Sequence, residues 1–341
     1  MSVADLVQKK NILITGGAGF IGSHLCDVLV KEGNVICLDN FISSDISNIQ
    51  HLLQLPNFEF IKHDIIEPVD LEALPGLKKF KIPFHGIHEI YHLACPTSHY
   101  EKHEHQVATI LTSGLGTKNI LDLAVKYRSR LLFTSSSAVY GWPSDKEGKV
   151  YKEGDLGVVD HLGERSCYDE GKRYSETLLK IYRDQHDIDA RTMRLFQTYG
   201  PRMSLADNRM IPRLINKAVT GEKMVVYAQP DDQTSICYIS DIIEAIDRMM
   251  KSNLVGPINI GNPSPVRLSE IAEKIKKESG TRSEISYEEE SPYTHHRGVP
   301  DINLAKSKLG WFPVIPLDEG LKMTIDDMRG SRVIGFEDIK I

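Results

Sequence analysis

Tyr168 and Lys172 stand four residues apart in the run Tyr168-Asp-Glu-Gly-Lys172. On a helix that spacing puts a phenol and an ammonium on one face, where both can address the same reactant. A tyrosine with an ordinary pKa near 10 is a poor base at neutral pH. A neighbouring lysine favours the phenolate and makes the side chain able to take a proton from an alcohol. Upstream, Thr134-Ser-Ser-Ser137 offers hydroxyls, Ser136 and Ser137 among them, that could hold the same alcohol oxygen. The chemistry in prospect is oxidation of a secondary alcohol.

Such an oxidation needs an electron acceptor, and Asn11–Gly22 offers a place for one. Gly16, Gly19 and Gly22 fall in a G-x-x-G-x-x-G spacing between an apolar strand-like run and a helical pattern. Glycines there permit a tight turn, let backbone N–H groups approach a pyrophosphate at a helix N-terminus, and allow close helix–strand packing. Phe20 and Ile21 lie within the turn. Asp39, 17 residues after Gly22, ends the next strand. Its carboxylate would accept ribose hydroxyls and repel a 2′-phosphate, which favours NAD over NADP. Asn40, Asp64, Ile65, Leu93 and Ala94 end neighbouring strands and complete the expected cofactor contacts, with Lys172.

The elements that must position these groups alternate. Strand-like runs at Asn11–Thr15, Val35–Leu38, Phe58–Lys62, Glu89–Leu93, Arg130–Ser135 and Asp189–Leu195 are separated by helical patterns, notably Gln106–Tyr127 and Tyr168–Asp187. Short buried strands alternating with helices predict an α/β fold, a Rossmann-type doubly wound parallel sheet. Residues 1–195 read as the cofactor domain. Residues 196–331 read as a smaller, interleaved C-terminal substrate-binding lobe, with a strand near 255–261 returning to the main sheet and a tail at 332–341.

Composition narrows the class. The chain of 341 residues carries 41 Lys and Arg against 47 Asp and Glu, a net charge of −6, with no basic run. The footprint of nucleic-acid binding is absent. No stretch approaches the roughly 18 apolar residues of a membrane span, and the start lacks a signal-peptide core. Five scattered cysteines without a CxxC pair fit free thiols in a reducing compartment. The expected address is the cytoplasm. His99, His103, His105 and the pair His295-His296 lack an ordered ligand pattern, so no metal is expected. Cys95 and Cys167 have no evident activating base and read as packing residues.

Taken together, the chain resembles the extended short-chain dehydrogenase/reductases, and among them most resembles the UDP-glucuronate decarboxylases. The likeness runs from about Asn11 to Leu317. Its specific pieces are Asp39-Asn-Phe41, Phe58–Pro68, His92-Leu-Ala-Cys-Pro96, Gly200-Pro-Arg-Met203, Pro300-Asp-Ile302, Leu309-Gly-Trp311 and, above all, Arg165-Ser-Cys-Tyr-Asp-Glu-Gly-Lys-Arg173. The resemblance implies bound NAD, a UDP-sugar substrate, a homodimer built on paired helices, and substrate contacts from Arg165, Gln197, Arg202, Arg209 and Arg297. Arg202 and Arg209 are expected to be available for phosphate.

The pattern departs from the family at informative places. The family's Thr-Ser-Glu before Val-Tyr-Gly is Ser136-Ser137-Ala138 here, and the Asp-Glu pair of sugar 4,6-dehydratases is absent. Dehydration is thereby disfavoured. Decarboxylation survives, because a 4-keto uronate is a β-keto acid that loses CO₂ without a base. Ala138 leaves a nucleotide-sugar 4-epimerase as the alternative, and a catalytically silent NAD-binding regulator as a rival of another class. The family arginine after Gln-Thr is Ser235, the asparagine of its Phe-Asn-Thr run is Gln197, and the basic residues after Asp-Asn-Phe are Ser44-Asp45-Ile46-Ser47.

Overall fold

Apolar runs of five to seven residues with no polar face need cover on both sides. The chain supplies it with helices packed against both faces of a seven-stranded sheet. The computed structural model describes residues 9–97, 105–141, 149–205, 207–288 and 298–333. The sheet strands are β1 (Lys10–Thr15), β2 (Gly33–Asp39), β3 (Phe58–Lys62), β4 (Glu89–His92), β5 (Arg130–Ser136), β6 (Ala190–Leu195) and β7 (Ile258–Ile260). They lie in the order β7-β6-β5-β4-β1-β2-β3, all parallel. Strand order reverses between β1 and β4, where Thr15 pairs with His92. Chains leaving these two strands turn opposite ways and open a crevice at their carboxyl ends.

Alternation along each strand divides the core. Ile12, Ile14, Val35 and Cys37 face one side, with Leu25 and Leu29 of helix α1 (Phe20–Leu29). Leu13, Ile36, Leu38 and Ile90 face the other, with Ile120, Leu121 and Ala124 of helix α2 and Leu179 of helix α3 (Ser166–His186). Helix α2 is interrupted. It runs Gln106–Leu111 and Thr117–Tyr127 around a π turn, Thr112–Gly116, where the sequence suggested an unbroken helix. The Ser113 carbonyl accepts from Ser175 Oγ at 2.8 Å, and Gly171 approaches Ser113 so closely that a Cβ there would lie 2.7 Å from its Oγ. Close docking of α3 thus goes with the local rearrangement.

The second half adds helices α4 (Met210–Thr220), α5 (Ile239–Lys251), α6 (Leu268–Ser279), α7 (Asn303–Leu309) and α8 (Leu317–Val333). Met224–Tyr227 pairs in parallel with Ile285–Glu288. Leu214, Ile215, Val226 and Ile271 join the same buried cluster as Ile12 and Leu25, so the two halves share one core. They also interleave. β7 pairs with β6 inside the main sheet, and Val299–Pro300 pairs with Val150–Tyr151. Among the described residues no helix is long and apolar enough to cross a membrane.

Candidate active site

A cleft of about 870 Å³ opens along the carboxyl edge of the sheet, between β1 and β4 and beneath the second half of the chain. At its floor, Gly16 N–H donates to the Leu38 carbonyl at 2.8 Å, and Gly19 N–H to the Gly16 carbonyl at 3.1 Å. Gly16 has φ +70°, and a Cβ there would sit 2.8 Å from the Ala94 backbone. At Gly22 a Cβ would come within 2.1 Å of the Gly16 carbonyl oxygen. These contacts leave room for nothing but glycine, and they bring the N-terminus of α1 to the cleft. The turn fits a dinucleotide pyrophosphate.

Asp39, 8% exposed, closes one end of this floor. Its Oδ2 accepts from Ala18 N–H at 3.0 Å, and its Oδ1 from Phe41 N–H at 2.9 Å and Ser44 Oγ at 2.7 Å. Ser44 thus holds the carboxylate in place. Asn40 Nδ2 donates to Asp64 Oδ2 at 2.9 Å, and Asp64 Oδ1 accepts from Ile66 N–H. Both residues line the cleft, as do Phe20, Ile21, Ile65, Leu93 and Ala94.

At the other end β5 stops at Ser136, whose backbone is still extended and whose Oγ accepts from Ala138 N–H at 3.2 Å. Tyr168 lies in the first turn of α3 and Lys172 in the next, so one helix carries both to the end of β5. The Ser136 hydroxyl and the Tyr168 phenol line the cleft together there. Burial pushes that phenol well above its ordinary pKa, while the Ser136 hydroxyl and the charge of Arg165 act against the shift. Lys172 Nζ donates to the Thr134 carbonyl at 2.8 Å and lies 5.7 Å from the Tyr168 ring centroid. Burial lowers its pKa, offset by Cys95 and Glu176. Alcohol, phenol and ammonium therefore converge where the cleft meets the glycine turn. Ser137 and Ala138, both buried, follow Ser136 along the same wall.

The residues expected to hold substrate fare unequally. Arg165 and Gln197 line the cleft, and Arg165 lies 3.4 Å from Asp169 across one helical turn. Arg202 and Arg209 line it too, but they are not the uncommitted cations the sequence suggested. Arg202 Nη2 pairs with Asp27 Oδ2 at 2.6 Å, and Arg209 forks onto Asp207. Nearby carboxylates, far off in sequence for Arg202, have already engaged them. Arg297, with His99, His103, His295 and His296, lies outside the described residues. Ser235 is buried and gives its hydroxyl to the Asn262 carbonyl. Sequence reasoning missed Arg213 and Tyr227, which line the cleft with the guanidinium 4.4 Å from the ring centroid. They sit in the irregular half, where no motif flags them. Cys95 also lines the cleft, whereas burial pushes the Cys167 thiol to about 11.

Comparison with known proteins finds relatives along nearly the whole chain. A family described as GDP-mannose 4,6 dehydratase matches residues 13–324. UDP-glucuronic acid decarboxylase 6 of Arabidopsis thaliana is 41% identical over 324 residues, covering 94% of this chain and 90% of that protein. UDP-glucuronic acid decarboxylase 1 of Xenopus tropicalis is 39% identical over 323 residues, covering 94% and 73%. Among solved structures, UDP-glucuronic acid 4-epimerase from Bacillus cereus, in complex with UDP-glucuronic acid and NAD, superposes with a TM-score of 0.81 at 27% identity, covering 94% of this chain and 99% of that one. Because the family match spans nearly the whole chain and the relatives align across both halves, the protein is a member of the GDP-mannose 4,6 dehydratase family of NAD-dependent epimerases and dehydratases.

Proposed function

We propose that the protein uses NAD to oxidise C4 of UDP-glucuronate and converts it to UDP-xylose by decarboxylation. The observation that carries this reading is the convergence of Ser136, Tyr168 and Lys172, the last anchored on the Thr134 carbonyl, at the end of a cleft whose other end is a glycine turn. The names of the similar decarboxylases supply the substrate. Gly16, Gly19 and Gly22 would hold the pyrophosphate and Asp39 the adenosine ribose. When bound, NAD supplies the two-electron acceptor that oxidises the C4 alcohol and later reduces the C4 ketone.

The chain's own groups handle protons and position. Tyr168 takes the C4 hydroxyl proton, Ser136 holds the oxygen, and Lys172 stabilises the phenolate through its charge. The oxidised sugar carries its carboxylate β to the ketone, so the C–C bond to CO₂ breaks with its electron pair delocalised into an enolate, and a proton from water at C5 restores the C4 ketone. Tyr168 then returns a proton to O4 as the ketone is reduced.

One observation favours a second reading, a 4-epimerase. Ala138 is buried on the cleft wall and brings no carboxylate to the reacting sugar. Arg165, close by, carries a charge that would steady a substrate carboxylate and oppose its loss. Incubation with UDP-glucuronate and NAD⁺, followed by NMR of the products, separates the readings. CO₂ with a UDP-pentose supports the decarboxylase. UDP-galacturonate supports the epimerase. No product and no change in cofactor absorbance would overturn both in favour of a silent NAD-binding regulator.

The proposed assembly is a homodimer. Val107 and Leu115 of α2 and Tyr174 and Ile181 of α3 are 71%, 52%, 54% and 41% exposed, an apolar content that a second copy would cover. The proposed address is the cytoplasm, in keeping with five free cysteines.

A further inference from the structure

Glu176 lies one helical turn beyond Lys172 on α3 and points at the sheet. Its Oε1 accepts from Ser135 Oγ at 2.6 Å and from Arg194 Nε at 2.9 Å, and its Oε2 accepts from Arg194 Nη2 at 2.7 Å. The carboxylate is 16% exposed and the guanidinium 11%. Ser135 is the residue before Ser136 on β5, and Arg194 belongs to β6. One carboxylate therefore ties the helix that carries Tyr168 and Lys172 to the strand that carries Ser136 and to its neighbour.

The tie extends further. Arg194 Nη1 donates to Tyr140 Oη at 2.9 Å and to the Glu153 carbonyl at 3.0 Å. Tyr140 Oη donates to Asn259 Oδ1 at 2.6 Å, and Asn259 Nδ2 donates to the Tyr151 carbonyl at 2.9 Å. Tyr140 ends the turn that follows Ser136, and Asn259 sits on β7. A fork between a carboxylate and an arginine fixes both partners in angle as well as distance. A buried network of this kind specifies one arrangement, because any slip leaves polar groups unpaired.

We propose that Glu176 is a positioning residue for the alcohol oxidation, holding the Tyr168–Lys172 helix in register with Ser136 and keeping the Lys172 ammonium charged. The second role follows from what surrounds that ammonium. Among the described residues, His92 of β4 and Cys95 beyond it, Tyr168 and Glu176 of its own helix, and Arg194 behind Glu176 are the titratable and charged groups that face it. His92 is held neutral by burial, so Cys95 and then Glu176 counter the loss of hydration at Lys172, and Glu176 is the carboxylate of the two.

Glu176→Gln keeps the shape and removes the charge. Both its effects on Lys172, the lost anion and the uncompensated Arg194, favour the neutral amine. The alkaline limb of the kcat profile is expected to move to lower pH. Misalignment is expected to lower kcat at pH 7 roughly ten- to a hundredfold while KM stays within about twofold. Glu176→Asp, which retains the charge on a shorter stem, should lower kcat and leave the alkaline limb in place. If Glu176→Gln does not fold, the charge-balanced double variant Glu176→Gln/Arg194→Gln takes its place, with the same loss of kcat.

A uniform loss of activity with an unmoved alkaline limb in Glu176→Gln, or full activity in either the single or the double variant, would overturn the proposal. Because it rests on the reading of Tyr168 and Lys172 as an oxidising pair, a readout free of turnover is added. The pH dependence of Lys172 acetylation by acetic anhydride, followed by mass spectrometry, should shift to lower pH in Glu176→Gln. That shift in a chain that turns over no sugar nucleotide would uphold the role of the charge while the proposed substrate fails; its absence would overturn that role.

Discussion

Lys172 binds the Thr134 carbonyl rather than a carboxylate, at 2.8 Å. A direct ion pair would quench the ammonium and turn it from the phenol. A carbonyl anchors it with little loss of charge and leaves its field directed at Tyr168, whose ring centroid is 5.7 Å away. The anchor also joins the helix to β5 two residues before Ser136.

Separate losses are expected from the two members of the pair. Tyr168→Phe should lower kcat by about 10²–10⁴, the range for removing a general base, with cofactor content unchanged. Lys172→Met should lower it as well and move the acidic limb of kcat/KM to higher pH, since the phenol loses the cation that favours its ionised form. Steady-state rates across pH, with the cofactor released by acid and counted, check both. An active Tyr168→Phe enzyme would exclude the phenol as base.

The glycine turn allows a sharper test of cofactor binding. Gly22→Ala would place a methyl group 2.1 Å from the Gly16 carbonyl oxygen, a backbone atom that cannot rotate away. The turn must open, and the N–H groups that would meet the pyrophosphate are displaced. Purified Gly22→Ala protein is expected to retain little NAD and to gain little thermal stability on adding it, where the parent chain gains by mass action. Wild-type retention in that variant would remove the turn from the cofactor site.

His92 makes the fold sensitive to acid. Its Nδ1 lies 2.7 Å from Thr15 Oγ1 and its Nε2 3.1 Å from Thr117 Oγ1, so the ring stitches β1 and α2 to β4. Burial, then the charge of Lys172, pushes its pKa down to about 3. The folded state thus refuses a proton that the unfolded state accepts below pH 6.5. Stability from this group is full above pH 6.5 and is lost as the pH falls toward 3, on the order of 3 kcal/mol between pH 7 and pH 4. Urea unfolding at the two pH values measures it. His92→Asn should be less stable at pH 7 and show a smaller difference; an unchanged difference would assign the acid sensitivity elsewhere.

The central sheet could be read from the sequence because local physics dictates it. Runs such as Ile12-Leu-Ile14 and Val35-Ile-Cys-Leu38 are short, apolar on both faces and bounded by glycine or polar residues, and each became a buried strand. Fixed spacing did the same for Tyr168 with Lys172 and for the three glycines, since helix geometry and backbone clearance act within a few residues. What escaped depends on contacts across long stretches of chain. The π turn in α2 reflects docking against Gly171 and Ser175, some 60 residues on. The pairing of Arg202 with Asp27 spans 175 positions, and no local pattern could show that the cation was engaged. Arg213 and Tyr227 reach the cleft only because the second half folds over it.

Ala138 is where the choice between two products can be forced. It is 3% exposed and stands on the cleft wall two residues after Ser136, at the place where the family resemblance implies a glutamate. A carboxylate introduced there would repel the substrate's own carboxylate and favour its departure as neutral CO₂. Ala138→Glu is therefore expected to raise the share of UDP-pentose over UDP-galacturonate several-fold, read by NMR of the product mixture. Ala138→Gln, equal in size and uncharged, should leave the product ratio near that of the parent while lowering the rate through crowding. If glutamine shifted the ratio as far as glutamate, volume at this position and not charge would govern the fate of the carboxylate.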